Sequence, residues 1–165
     1  MIEVNIDSVR VSLMSDDRIV LLREVGSDRH LPIFIGQCEA EAIAIRLRNI
    51  EVQRPLTHDL LKSVIGAMGG QLVRVVVSEL RNDTFHARLV VDQDGVLVEV
   101  DSRPSDALAL AVRVDAPIFV DERVMEVAGI APERDLTERE QPEDAKLSAF
   151  RDFVDNLDLD DLPLH

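Results

Sequence analysis

The sequence predicts an α+β fold: an internally duplicated β-β-β-α unit, antiparallel and mixed sheets packed against helices, and a C-terminal amphipathic helix. Three observations carry that expectation. Short segments alternate apolar and polar residues with the period of two that half-buried strands require. Each group of three such segments ends in an Ala-rich helix. Those two helices align without gaps, CEAEAIAIRL at 38–47 over SDALALAVRV at 105–114. Cys38 lies over Ser105, Glu39 over Asp106 and Arg46 over Arg113. A shared acid at the start and a shared arginine near the end favour duplication over a chance likeness of two Ala-rich helices.

The elements follow in order. Val4 and Ile6 share one face, whereas Val9, Val11 and Leu13 have the opposite parity, so a bulge is expected near Asp7–Ser8. Ile19 to Leu22 and Leu31 to Ile35 complete the first set of strands, the latter stopped by Gly36. A helix follows from Cys38 to Arg48. A linking helix runs from Thr57 to Met68, with Leu60, Leu61, Val64, Ile65 and Met68 as its apolar stripe and Gly69-Gly70 as its stop. The second set comprises Leu72–Val77, the alternating run around Phe85, Ala87, Leu89 and Val91, and Val96–Val100, before the helix Ser105–Val114. APIFVDERV reads as a last strand. Residues 1–130 form the domain. Residues 131–165 form an acidic linker and a helix over 143–157 carrying Leu147, Phe150, Val154 and Leu157.

Composition bounds the function. The chain has 165 residues and a net charge of −14, half of it in residues 131–165. A field of that sign does not draw in nucleic acid, so any such role needs a local cationic site or a bridging metal. The cations are 16 Arg and 2 Lys, which favours forked donors over point charges. With no Trp, no Tyr and 5 Phe, there is little material for a base-stacking platform. No apolar run spans a membrane, the N-terminus lacks a signal-peptide pattern, and Cys38 is the only cysteine. A cytoplasmic protein is expected.

Two stretches resemble each other: RPLTHDLL at 54–61 and RPSDALAL at 103–110. Each passes from Arg-Pro through a hydroxyl residue to an acid and an apolar run. Thr57 and Ser105 are expected as N-caps, because a side-chain oxygen there accepts an otherwise unpaired backbone N–H. Asp59 and Asp106 then fall in the first turn, where negative charge suits the helix dipole. Arg54 and Arg103 are expected to fold back onto them. Capping and local ion pairs account for a single turn of this kind; two copies, one with an added His58, point towards a site.

LPIFIGQCEAEAIAI, RPLTHDLL, DTFHARLVV and VDSRPSDALALAVRVDAPIFV resemble the bifunctional nuclease domain family over about residues 1–130. The resemblance implies a nuclease acting on RNA and DNA with low sequence specificity. It marks Glu39, Arg54, Thr57, His58, Asp59, Asp101, Arg103, Ser105, Asp106 and Arg113 as the polar positions of interest. Phe34 and His86 stand where the family commonly has Trp and Tyr.

On this reading His58, Asp59 and Asp106 are catalytic. Arg54, Arg103, Thr57, Ser105 and Arg113 bind substrate. Asp59, Asp106 and Glu39 are the set that would hold Mg²⁺ or Mn²⁺. The three acids come from three helix starts, and make one site only if the fold brings those starts together. The expected partners are nucleic acid as substrate and a second copy in a homo-oligomer, with no membrane. Two rivals remain: a non-enzymatic interaction or regulatory protein, and an anion or nucleotide sensor using the helix starts.

Overall fold

The computed structural model describes residues 1–11 and 17–131. Seven strands form a single sheet in the order β3-β2-β1-β7-β4-β5-β6. On one side of β7 lies the meander of β1 (Ile2–Val11), β2 (Arg18–Glu24) and β3 (His30–Ile35). On the other lies the meander of β4 (Gly70–Arg81), β5 (Thr84–Gln93) and β6 (Val96–Ser102). All pairs are antiparallel except β4 with β7 (Ile118–Val120). The strands thus belong to one sheet rather than several.

The bulge in β1 falls where the change of parity requires it, between Ile6 and Ser8. Two tight turns close the second meander. Asn82 and Asp83 join β4 to β5 with φ of 49° and 58°, and Asp94-Gly95 join β5 to β6 with φ of 54° and 83°. Positive φ at both central residues suits the twist of a two-residue hairpin.

Four helices cover the sheet: α1 (Gln37–Leu47), α2 (Thr57–Ala67), α3 (Pro104–Val114) and α4 (Glu122–Ala128). Helix α3 is the hub. It packs on β4 and β5, and α1 and α2 pack on it. Eight of its eleven residues are buried. Its Ala and Leu side chains join Val4, Leu22, Ile33, Val75, Val77 and Val120 in one continuous core.

Three expectations need correction. APIFVDERV is not all strand: β7 ends at Val120, and the Asp121 carboxylate accepts the Arg123 N–H at 3.0 Å to start α4. Neither Thr57 nor Ser105 is an N-cap. Leu56 and Arg103 hold those positions, so the hydroxyl residues sit one and two places inside the helix. The apolar stripe of α2 is largely in solvent, with Leu60 59 % and Met68 69 % exposed. Only His58 of α2 is buried, and Ile65 reaches the core from its edge. The close approach of α2 to the sheet runs through Gly70, where an added Cβ would meet the Ile65 side chain of α2 at 3.1 Å. The expected C-terminal helix lies outside the described residues.

Candidate active site

Three helices each place an acid at their third residue: Glu39 in α1, Asp59 in α2 and Asp106 in α3. Negative charge is favoured there by the unpaired N–H groups and dipole of the first turn. Because α1 and α2 both pack on α3, the three starts come near one another, but the acids do not converge.

Glu39 and Asp106 share a partner. Arg103 donates from Nε to Asp106 Oδ2 at 2.6 Å and from Nη2 to Asp106 Oδ1 at 3.1 Å. The same Nη2 donates to Glu39 Oε1 at 2.7 Å. Its Nη1 makes no bond among the described residues. The guanidinium is 67 % exposed and its pKa is raised by the two carboxylates, Asp106 first.

His58 completes the group. It is 8 % exposed, and its Nε2 lies 3.0 Å from Asp106 Oδ1. Burial pushes the Asp106 carboxyl up, but the hydrogen bonds from Arg103 and His58 outweigh it and hold the group below its ordinary 3.8. An ionised carboxylate only accepts, so Nε2 carries the hydrogen, and Nδ1 is the nitrogen free to act as a base when the ring carries one proton. Nδ1 makes no described bond and is not among the buried atoms lacking a partner. A hollow of about 540 Å³ opens here, lined by His58, Thr57, Cys38, Glu39, Arg103 and Asp106 among others.

Asp59 belongs to a different cluster. Its Oδ2 accepts the Leu56 N–H at 2.9 Å, and its Oδ1 accepts Arg113 Nε at 2.7 Å. Burial raises its pKa, and those two bonds reverse the shift and hold it below 3.8. Arg113 is 4 % exposed, and its Nη1 also donates to the carbonyls of Ala42 and Ala109. This arginine ties α1, α2 and α3 together, and Lys62 of α2 adds a bond to the Arg113 carbonyl at 3.1 Å.

The expected site residues therefore separate. Glu39, His58, Arg103 and Asp106 meet, with Thr57 on the rim. Asp59 and Arg113 pair with each other, away from the hollow beside His58; Arg113 donates from Nε and Nη1 and borders a separate hollow with Arg46 and Lys62. Arg54 is exposed, outside the hollow, and has no partner among the described residues. Ser105 is buried, and Asp101 is exposed on β6. A divalent cation does not fit the proposed set. Glu39 and Asp106 are bridged by Arg103 Nη2, which holds the place a bridging cation would take, and Asp59 is engaged elsewhere. Among the described residues no three His, Cys, Asp or Glu side chains form a ligand group.

Comparisons with known proteins point one way. The sequence profile of the family described as the bifunctional nuclease domain matches residues 20–133. An uncharacterized protein of Mycobacterium tuberculosis is 40 % identical over 161 residues, which is 96 % of each chain. Bifunctional nuclease 1 of Oryza sativa subsp. japonica is 33 % identical over 109 residues, 64 % of this chain and 33 % of that protein. Bifunctional nuclease 1 of Arabidopsis thaliana is 30 % identical over 106 residues, 62 % of this chain and 33 % of that one. The chain thus matches about a third of the length of these plant relatives. No helix among the described residues is long and apolar enough to cross a membrane.

Proposed function

This chain belongs to the bifunctional nuclease domain family, and from that premise we propose that it hydrolyses phosphodiester bonds of RNA and DNA at the hollow beside His58. The observation that carries the reading is buried His58 3.0 Å from half-buried Asp106, with the exposed Arg103 fork on the same carboxylate. Phosphodiester hydrolysis needs a proton-transfer group and a donor for the charge that develops on phosphorus-bound oxygen. Water attacks phosphorus as the bond to the leaving oxygen breaks. Nδ1 of His58 takes the proton of the attacking water, and the leaving oxygen takes one from solvent. Asp106 keeps the ring in the tautomer that leaves Nδ1 basic. Nη1 of Arg103 is the donor left for a phosphate oxygen. Because DNA has no 2′-hydroxyl, one mechanism for both nucleic acids uses water as the nucleophile.

The test compares wild type with His58→Ala, purified in parallel, on labelled single-stranded DNA and RNA, in EDTA and in Mg²⁺. The expected result is activity that co-elutes with the wild-type protein, survives EDTA, and falls by ~10²–10⁴ in the variant. Equal activity in both preparations, or activity lost from wild type on further purification, would overturn the reading.

A second reading, an interaction protein that works as a homo-oligomer, is favoured by the open face of α2. Leu60, Leu61, Val64 and Met68 present an apolar surface, and such surfaces commonly mark contacts between proteins. Light scattering that gives a strict monomer at micromolar concentration counts against it.

A further inference from the structure

Arg103 borders two hollows, not one. The second, about 390 Å³, lies on the side away from His58 and is lined by Phe34, Phe85, Asp83, Thr84, Arg103 and Pro104 among others. Its volume falls in the range of about 300–1,000 Å³ typical of small-molecule sites. Of the chain's five phenylalanines, three lie in the described residues, and two of those three, Phe34 and Phe85, stand at this one place. Phe34 is 67 % exposed on β3, whereas Phe85 packs against the core. A single exposed aromatic needs no explanation. One that lines a hollow together with a second aromatic and a guanidinium can receive a flat ring attached to an anion.

We infer that this hollow is a nucleobase subsite: an unpaired base stacks on Phe34, and the attached phosphate lies at Arg103, between the base and His58. The charges place the phosphate at Arg103 itself: it is the only Arg or Lys among the described residues lining either hollow, whereas Asp83 in one and Glu39, Glu41 and Asp106 in the other repel an anion. A base within a duplex is already stacked on its neighbours and paired, so it does not enter. The substrate class is therefore single-stranded nucleic acid, loops or frayed ends. Stacking is tolerant of base identity, since every base offers a π-face. The link to cleavage rests on the nuclease reading above; the binding does not.

The probe is a short single-stranded DNA with cleavage-resistant phosphorothioate linkages and a 2-aminopurine, whose fluorescence is quenched by stacking, titrated with the full chain. The expected result is saturable quenching by wild type, absent when the label sits inside a duplex. Phe34→Ala weakens binding by about 5- to 150-fold, the range that base–aromatic stacking covers, and Phe34→Trp restores it. Phe34 is mostly in solvent, so the alanine variant keeps its fold, which thermal unfolding checks. No quenching by wild type, or equal quenching by wild type and Phe34→Ala, overturns the inference. His58→Ala separates the two readings. If it binds as wild type does while wild type cleaves nothing, the subsite stands and the nuclease reading fails. If wild type cleaves, His58→Ala does not, and Phe34→Ala binds and cuts single strands as wild type does, the nuclease reading stands and the subsite fails.

Discussion

The two Arg-Pro turns look alike and do different work. In the second, Pro104 is the first residue of α3, and Arg103 lies three residues before Asp106. That spacing lets the guanidinium close on the carboxylate of its own turn and reach across to Glu39. In the first, Pro55 lies two residues before α2 begins, and Arg54 lies five residues before Asp59. Arg54 is left in solvent, and Asp59 is taken instead by Arg113, 54 residues further along the chain. One turn thus presents a charged group to solvent at the mouth of a hollow. The other anchors a helix. The two extra residues in the first turn include Thr57 and bring His58 into the helix start, where it meets the acid of the second turn. The motifs are complementary rather than equivalent: each supplies one half of a His–Asp pair.

The largest effect on stability is expected at Arg113. Arg113→Met takes the buried guanidinium from a carboxylate that is 32 % exposed, and losing the charged partner costs about 1–3 kcal/mol. Denaturant unfolding should show that loss; a change under about 1 kcal/mol would mean that α2 is held without the pair. Arg103→Lys should behave oppositely. The pair is largely exposed, so stability should change by no more than about 1 kcal/mol. Turnover should nonetheless fall, because a point charge does not replace the fork that engages Asp106, Glu39 and phosphate together. Unfolding and cleavage assays on the same preparation separate the two effects.

Acid should weaken both turns with the same sign. Asp59 and Asp106 each have a folded pKa below the ordinary 3.8. Their contribution to stability is full above that value and is lost as pH falls through it towards the folded values. Asp59→Asn and Asp106→Asn should each flatten the pH dependence of stability below about pH 4. An unchanged slope in both would show that neither carboxylate is paired in solution. The smallest effect belongs to Arg54→Ala, which should alter stability by less than about 0.5 kcal/mol. Turnover should be unaffected too, and a large loss there would return the first turn to the substrate-binding role that its sequence advertises.

What sequence could reveal followed from local spacing. The change of parity along Val4, Ile6 and Val9 located the bulge, because alternation reports which side chains face the core. The run Ser105–Val114 was apolar on nearly all sides, and α3 is the buried hub. Arg103 on Asp106 was legible because three residues on one chain turn are neighbours by geometry. The failures have the same root. Nothing local pairs Arg113 with Asp59, so the sequence does not show that this arginine is buried and bound to that acid. The stripe of α2 has helical period, but period alone does not say whether another layer exists to cover it. Helix α4 did announce itself, through Asp121 as a cap and Glu122 in the first turn, after the apolar residues of β7 had drawn the strand too far. Five phenylalanines in 165 residues looked too few for stacking; the fold sets two of them at one hollow.

Whether His58 and Asp106, supplied by different turns, act as one unit is read by a double-mutant cycle in the cleavage assay, using His58→Ala, Asp106→Asn and the double variant, each confirmed folded by thermal unfolding. Groups that act together are strongly non-additive. The account predicts that each single change removes most of the activity and that the double variant is no worse than His58→Ala. Losses that multiply, or single variants that cleave as wild type does, would contradict it.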